Sequence, residues 1–317
     1  MPAAPRILQH PDQIVTLDGW QLDQDNPFGL PGAKPKRIFT CPNPVPQPFL
    51  IGGHRYLFKE PPGWRAPQIW SEVIAYELSR ELGLPVPPAF LALGPGNGSP
   101  GVLIEFFYGH PGDEKRRYVD GIELLQGRGF GVNFIHGSLK DNIKLSRLLG
   151  VPEWRDWWCR TVAFDALIGN TDRHSQNWGT LVRPPSDGRD SEYRMAPAFD
   201  NGTSLGYNFP EEQLLRRSAP AEIAKLVADG RHHFGWFGNV DGEQHAALCG
   251  RLRTLLPGGV GVSMDDTVNL SDHRIEAIVE WCTGFAFEVP FSPPRAFCVS
   301  ATQGSARRCC RRARDVT

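Results

Sequence analysis

Apolar positions along this chain follow two different periods, and the change between them divides it. From Trp70 to Pro85 the apolar side chains Trp70, Ile74, Ala75, Leu78 and Leu82 recur at helical spacing, and Gly83 and Pro85 stop the run. Short apolar runs on either side predict strands. Pro48–Ile51 and Tyr56–Lys59 read as a hairpin joined by Gly52-Gly53-His54-Arg55, with Val86–Leu93 and Gly101–Phe107 as two further strands. Beyond a charged connection over His110–Tyr118 and a glycine-rich loop over Gly127–Gly137 the pattern turns helical. Helices are predicted over Leu139–Leu149 and Trp154–Leu167, the second strongly apolar through Trp157, Trp158, Val162, Phe164 and Leu167. Shorter ones follow over 211–217 and 221–228, then amphipathic ones over 243–256 and 272–287, the last capped by Asp272.

The flanks lack such patterns. Residues 1–45 are rich in Pro, Gly and Asp, with Ile14–Leu17 as one short strand and turns at Asn26-Pro27, Leu30-Pro31-Gly32 and Cys41–Pro44. From Ser292 a basic tail containing Arg307, Arg308, Arg311, Arg312 and Arg314 has no apolar periodicity and reads as disordered. The expected organisation is a loop-rich arm (1–45), a small mixed lobe (46–108), a large helical lobe (109–291) and the tail (292–317). The fold class is α+β and bilobal, with a cleft between the lobes.

Composition narrows the setting. Charge is balanced at −1, which gives no global bias toward nucleic acid or membrane. With 34 Gly and 29 Pro among 317 residues the chain is loop-rich without reaching the level of a disordered one. Seven Cys show neither a CxxC pair nor zinc spacing, which fits a reducing cytoplasm. No signal-peptide pattern and no apolar run long enough to span a bilayer occurs. His232-His233 has no Cys or carboxylate at ligand spacing and is not read as a metal site.

Candidate chemistry gathers in Asp172-Arg173-His174-Ser175-Gln176-Asn177, a polar loop between the Trp154–Leu167 helix and a short apolar strand. A second acid, Asp200, follows in Ala198-Phe199-Asp200-Asn201-Gly202. Two carboxylates and an amide on neighbouring loops suit Mg²⁺ on a nucleotide, because Mg²⁺ takes one or two carboxylates and fills its other positions with water and phosphate oxygens. Phosphoryl transfer needs positioning and charge neutralisation. Asp172 would then face the attacking hydroxyl, while Asn177 and Asp200 hold the metal. The plainer alternative is a loop ion pair between Asp172 and His174, with Asp200 capping a turn. Upstream, Lys59 ends a strand and Glu72 lies in the first turns of the next helix, a pairing that holds a lysine for phosphate contact. Glu77 and Glu81 compete with Glu72 but sit nearer the solvated face. Gly52 and Gly53 could bring backbone N–H groups to a phosphate, or merely close a hairpin. His174 is either an alternative base or a structural imidazole; Arg173 reads as an ion-pair partner, Asn170 as a loop closure and Trp178 as core.

The order Asp-Arg-His-x-x-Asn at 172–177, followed by Asp-Asn-Gly at 200–202, resembles the HipA-like kinase family, over roughly residues 45–285. The same loop echoes phosphatidylinositol kinases. Ordinary protein kinases carry His-Arg-Asp and Asp-Phe-Gly in the matching places. The resemblance implies a protein-kinase-like bilobal fold, ATP and Mg²⁺ as cofactors, and phosphorylation of serine or threonine on a protein substrate. It matches Lys59 and Glu72 to the kinase ion pair, and Asp172, Asn177 and Asp200 to the catalytic and metal positions. By position it makes the backbone from Glu105 to Phe107 the hinge that reads adenine. An antitoxin-type partner is implied as well. Full-length members carry a further N-terminal subdomain, for which the residues before Lys59 leave too little room. No membrane and no specific nucleic acid is expected. A lipid or small-molecule kinase and a nucleotide-binding pseudokinase remain the alternatives.

Overall fold

Six strands form a sheet in the first third of the chain: β1 (Val15–Thr16), β2 (Gln21–Leu22), β3 (Lys36–Thr40), β4 (Arg55–Lys59), β5 (Ala89–Leu93) and β6 (Pro100–Glu105). A computed structural model describes residues 7–23, 36–130, 138–185, 190–238, 242–256, 264–265 and 269–312. The spatial order is β1-β5-β6-β4-β3-β2, antiparallel except for the β1–β5 pair. β4 is central because both of its faces are covered: Tyr56 and Phe58 are fully buried in one aromatic cluster, and Lys59 reaches the other side of the lobe.

Two expectations for this lobe are corrected. Pro48–Ile51 is not a strand, and β4 pairs instead with β3, in register Lys36 with Lys59 and Thr40 with Arg55. Pro42, Pro44, Pro46 and Pro48 lack the N–H a ladder needs. The sheet therefore takes up residues assigned to the loop-rich arm, and the small lobe begins well before residue 46. The turns at Asn26-Pro27 and Leu30-Pro31-Gly32, and most of the glycine-rich stretch before Ser138, lie outside the described residues.

The predicted helix at 70–82 is α1 (Gln68–Leu82), ended by Gly83 at φ 63, a left-handed conformation that glycine adopts without penalty. α1 is fixed to both lobes. Its apolar stripe covers the sheet, and Trp70 packs among Phe285, Phe287 and Phe291 of the distant C-terminal region. The Trp70 Nε1 donates to the Val289 carbonyl at 2.8 Å.

The large lobe contains a three-stranded antiparallel sheet, β7 (Arg117–Asp120), β8 (Gly179–Arg183) and β9 (Glu192–Met195), with helices α2 (Gly121–Gly127), α3 (Leu139–Leu148) and α4 (Trp154–Ile168). α4 is the buried spine: Trp157, Trp158, Val162, Phe164 and Leu167 are all in the core. Trp178 is buried against Trp158 and is core, as its sequence context suggests. Helices α5 (Leu214–Arg217), α6 (Pro220–Asp229), α7 (His245–Leu255), α8 (Asp272–Thr283) and α9 (Pro293–Arg312) complete the lobe. The result is a mixed α/β molecule with one curled-sheet lobe and one helical lobe. Among the described residues no helix is long and apolar enough to cross a membrane. The described cysteines, Cys41, Cys159, Cys249, Cys282 and Cys298, are free and buried.

α9 overturns the disordered tail. Proline is compatible with the first helical turn, so Pro293-Pro294 starts this helix. Its Cys298, Val299 and Ala306 are buried, Gln303 donates to the Leu167 carbonyl at 3.0 Å, and Arg295 pairs with Glu211 at 2.7 Å. Arg307 bonds Asp272 and the Leu270 carbonyl. Truncation after Pro290 should therefore destabilise the large lobe rather than trim an appendage. Burying one Val-sized side chain is worth about 1.5–3 kcal/mol, and about 1 kcal/mol moves the midpoint of a chain this size by roughly 2–4 °C. Thermal denaturation of the truncated chain should show a fall on the order of 10 °C or no cooperative transition; an unchanged midpoint would restore the tail reading.

Candidate active site

A cleft of about 400 Å³ lies between the β4–β6 face and the loops that follow α4 and β9. Leu57, Pro87, Ile104, Phe107, Tyr118 and Phe199 form its apolar part, and Lys36, Lys59, Asp172, His174, Asn177 and Asp200 its polar part. A larger groove of about 1100 Å³ exists elsewhere on the large lobe, but the titratable groups converge here.

Lys59, the last residue of β4, is 5 % exposed, with Nζ 2.7 Å from Glu72 Oε1 and 2.8 Å from Asp200 Oδ1. Burial alone would lower its pKa; the Asp200 and Glu72 carboxylates outweigh this and hold it above the usual lysine value. Glu72 also accepts from the Asn201 backbone N–H through Oε2 at 3.0 Å, tying α1 to the Asp-Asn-Gly turn. Asp200 has φ 58, a left-handed conformation that Asp tolerates better than most residues and that costs on the order of 1 kcal/mol. Glu77 instead pairs with Arg80 and Glu81 with Arg274, both away from Lys59.

The 172–177 loop is built around Arg173, which is completely buried. Its guanidinium grips Asp165 of α4 through Nε at 3.1 Å and Nη2 at 2.8 Å. It also donates to the Asn177 carbonyl at 3.1 Å, to Asn201 Oδ1 at 2.7 Å and to the Phe199 carbonyl. One side chain thus fastens the helix, the Asp172 loop and the Asp200 turn together. Asn170 closes the loop as expected, donating to Asp165 Oδ1 and accepting from the Asp172 backbone N–H. Asn177 donates its amide N–H to the Asp172 carbonyl at 2.7 Å, which orients its amide oxygen as the group left to meet a cation.

His174 Nδ1 accepts from the Gln176 N–H at 3.2 Å, so its proton resides on Nε2, 3.9 Å from Asp172 Oδ1. Burial lowers its pKa against the opposing pull of Asp172 and Asp200. His233 approaches the same oxygen with Nδ1 at 3.8 Å, its ring edge-on to that of His174 with centroids 5.4 Å apart. Two imidazoles therefore lie beside Asp172, and the second was not legible in the sequence. His232 points away, buried against Phe234 and His245.

At the end of β6, the Glu105 side chain bonds His110 Nε2 at 2.8 Å and accepts from Tyr56 Oη at 3.4 Å, and Glu105 is among the residues lining the cleft. Phe106 has both backbone groups committed, its N–H to Arg55 and its carbonyl to His54 Nε2. The Phe107 ring stacks on Phe199 at 5.4 Å. Gly52 and Gly53 are not with them. They precede the first residue of β4 while Lys59 is its last, a separation of about 20 Å at strand rise. Gly53 N–H donates to the Cys41 carbonyl, and a Cβ on Gly52 would strike Asn43. These glycines pack a turn; Lys36, which pairs in register with Lys59, is the additional cation in the cleft.

Residues 28–245 match the model of the HipA-like C-terminal domain. The fold is similar to that of the Helicobacter pylori proinflammatory kinase CtkA, with TM-score 0.70 and 16% identity over 96% of this chain and 99% of that one. It is also similar to a chain from the Shewanella oneidensis MR-1 toxin–antitoxin complex of HipA, HipB and operator DNA, with TM-score 0.52 and 16% identity over 89% of this chain and 65% of that one. At such identity the two structures speak to fold alone. No curated protein sequence matches significantly.

Proposed function

The chain belongs to the HipA-like C-terminal domain family, and from that premise we propose that it is an ATP- and Mg²⁺-dependent kinase acting on a serine or threonine hydroxyl of a protein. The observation that carries the reading is the convergence of Lys59, Asp172, Asn177 and Asp200 on one cleft from three separate parts of the chain, with Glu72 bonded to Lys59.

The donor set fits the cofactors. Two carboxylates and an amide oxygen are the hard ligands Mg²⁺ selects, and an apolar slot beside two lysines suits a base with its phosphates. The metal would supply charge neutralisation at the β- and γ-phosphates. Asn177 and Asp200 would hold it. Lys59, kept in place by Glu72, would donate to the α- and β-phosphates. Backbone groups of Glu105 and Phe107 would meet the adenine edge. Asp172 would orient the attacking hydroxyl and accept its proton late, with His174 in support. Intact acidic and basic positions speak for a working kinase over a pseudokinase. An antitoxin-type partner belongs to the same proposal and is consistent with the Shewanella complex, which contains HipA and HipB.

Incubation with γ-labelled ATP and Mg²⁺, with and without cell lysate, tests this. Phosphoserine or phosphothreonine on a protein band is the expected product. Label confined to the lipid fraction would favour the lipid-kinase alternative, and ATP binding without any transfer the pseudokinase.

The Lys59–Glu72 pair gives a sharper check. Each single alanine substitution should slow turnover, and the double should cost little more than the worse single, since groups acting as one unit are non-additive. Steady-state rates of the four proteins measure this, and simple additivity would show that the pair does not act together.

A further inference from the structure

The groove of about 1100 Å³ on the large lobe shares no lining residue with the cleft. Its floor is one face of α9, where Ala296, Ser300, Ala301 and Gly304 follow each other at helical spacing. Its walls are the apolar sides of α6 (Ile223, Val227) and α8 (Val279). The small floor residues keep the trough deep, and Phe297 stands at its edge 59% exposed. Among the described residues, those lining it include three carboxylates, Asp272, Glu276 and Glu280, and no Lys, Arg or His. Asp272 is paired with Arg307. Glu276 and Glu280 are exposed and one turn apart on α8, a like-charge spacing that disfavours the helix slightly.

We propose that this groove docks a cationic amphipathic helix from a partner protein. Its dimensions match. α8 runs for 12 residues, about 18 Å at helical rise, enough to lie beside three turns. A helix of about 11 Å diameter fills roughly 140 Å³ per residue, so the groove takes up about eight residues, most of those three turns. Large apolar residues at i, i+3, i+4 and i+7 of the incoming helix would enter the small-residue floor, as in other helix-in-groove complexes. Its flanking Lys or Arg would meet Glu276 and Glu280. The acidic edge selects against an acidic helix, which would place like charges together.

A phage-displayed library of helical peptides, panned on the full chain, tests the proposal. Selected peptides should carry Lys or Arg on the flank of an apolar stripe, and their binding should weaken as salt rises. Synthesised and measured by fluorescence polarisation, they should lose roughly tenfold or more in affinity, about 1.4 kcal/mol, against the Glu276→Lys, Glu280→Lys double variant. Ser300→Trp, which fills the floor, should cost at least as much. Both variants change half-exposed or exposed positions, so circular dichroism and ATP turnover should match the parent. Selected peptides without cationic flanks, selected peptides that bind both variants as tightly as the parent, or self-association of the chain that Ser300→Trp abolishes would each overturn the proposal.

Discussion

Replacing Arg173 with leucine should destabilise the protein by about 3–5 kcal/mol, the usual result of leaving one partner of a buried ion pair uncompensated. The side chain is wholly buried, and so is Asp165, its carboxylate partner. Leucine would strand that carboxylate and unmake the bonds to Asn201 and to the Asn177 and Phe199 carbonyls. Lysine would keep the charge but lose the planar fork that reaches Asp165 and Asn201 at once, so Arg173→Lys should fall between leucine and wild type. Urea unfolding of the three proteins measures the order. A leucine variant within about 1 kcal/mol of the parent, the median for exposed pairs, would show that Arg173 is not the tie between the loops.

That tie was only half legible. The spacing Asp-Arg-His-x-x-Asn identifies the loop because its bonds are local: Asn177 to Asp172 and Asn170 to Asp172 close within five residues. The α1 stripe is legible for the same reason, and it fixes Glu72 on the face toward Lys59. What failed was non-local. β3 finds β4 across a proline-rich connection, and nothing short-range in Lys36–Thr40 announces its partner. Gly52-Gly53 looked like a phosphate loop because composition names a turn without saying at which end of a strand it sits. α9 hid because its buried face is Ala296, Val299, Gln303, Ala306 and Arg307, small or polar residues that leave little apolar stripe, and because its arginines suggested solvent where Arg295 and Arg307 reach Glu211 and Asp272. His233 meets Asp172 from a segment far along the chain, brought there by the fold and by no motif.

The neighbouring imidazoles sharpen what Asp172 should do. His174 is held below the ordinary histidine pKa by burial, so near pH 7 it is neutral and adds no positive charge beside Asp172. Asp172→Asn keeps the side-chain shape, and the backbone carbonyl that receives the Asn177 amide is untouched. Nucleotide affinity should therefore persist while phosphoryl transfer falls by about 10²–10⁴, the range a positioned proton acceptor supplies. In a loose transition state the hydroxyl surrenders its proton late, so most of that loss should reflect lost orientation, visible in single-turnover transfer at saturating MgATP. His174→Gln and His233→Gln remove neighbours 3.9 and 3.8 Å from Asp172 Oδ1, beyond hydrogen-bond length, and each should cost far less than Asp172→Asn. If transfer instead survives in Asp172→Asn and collapses in His174→Gln, with both proteins folded and binding ATP, the imidazole is the base and the phosphatidylinositol-kinase pattern describes this cleft better than the protein-kinase one.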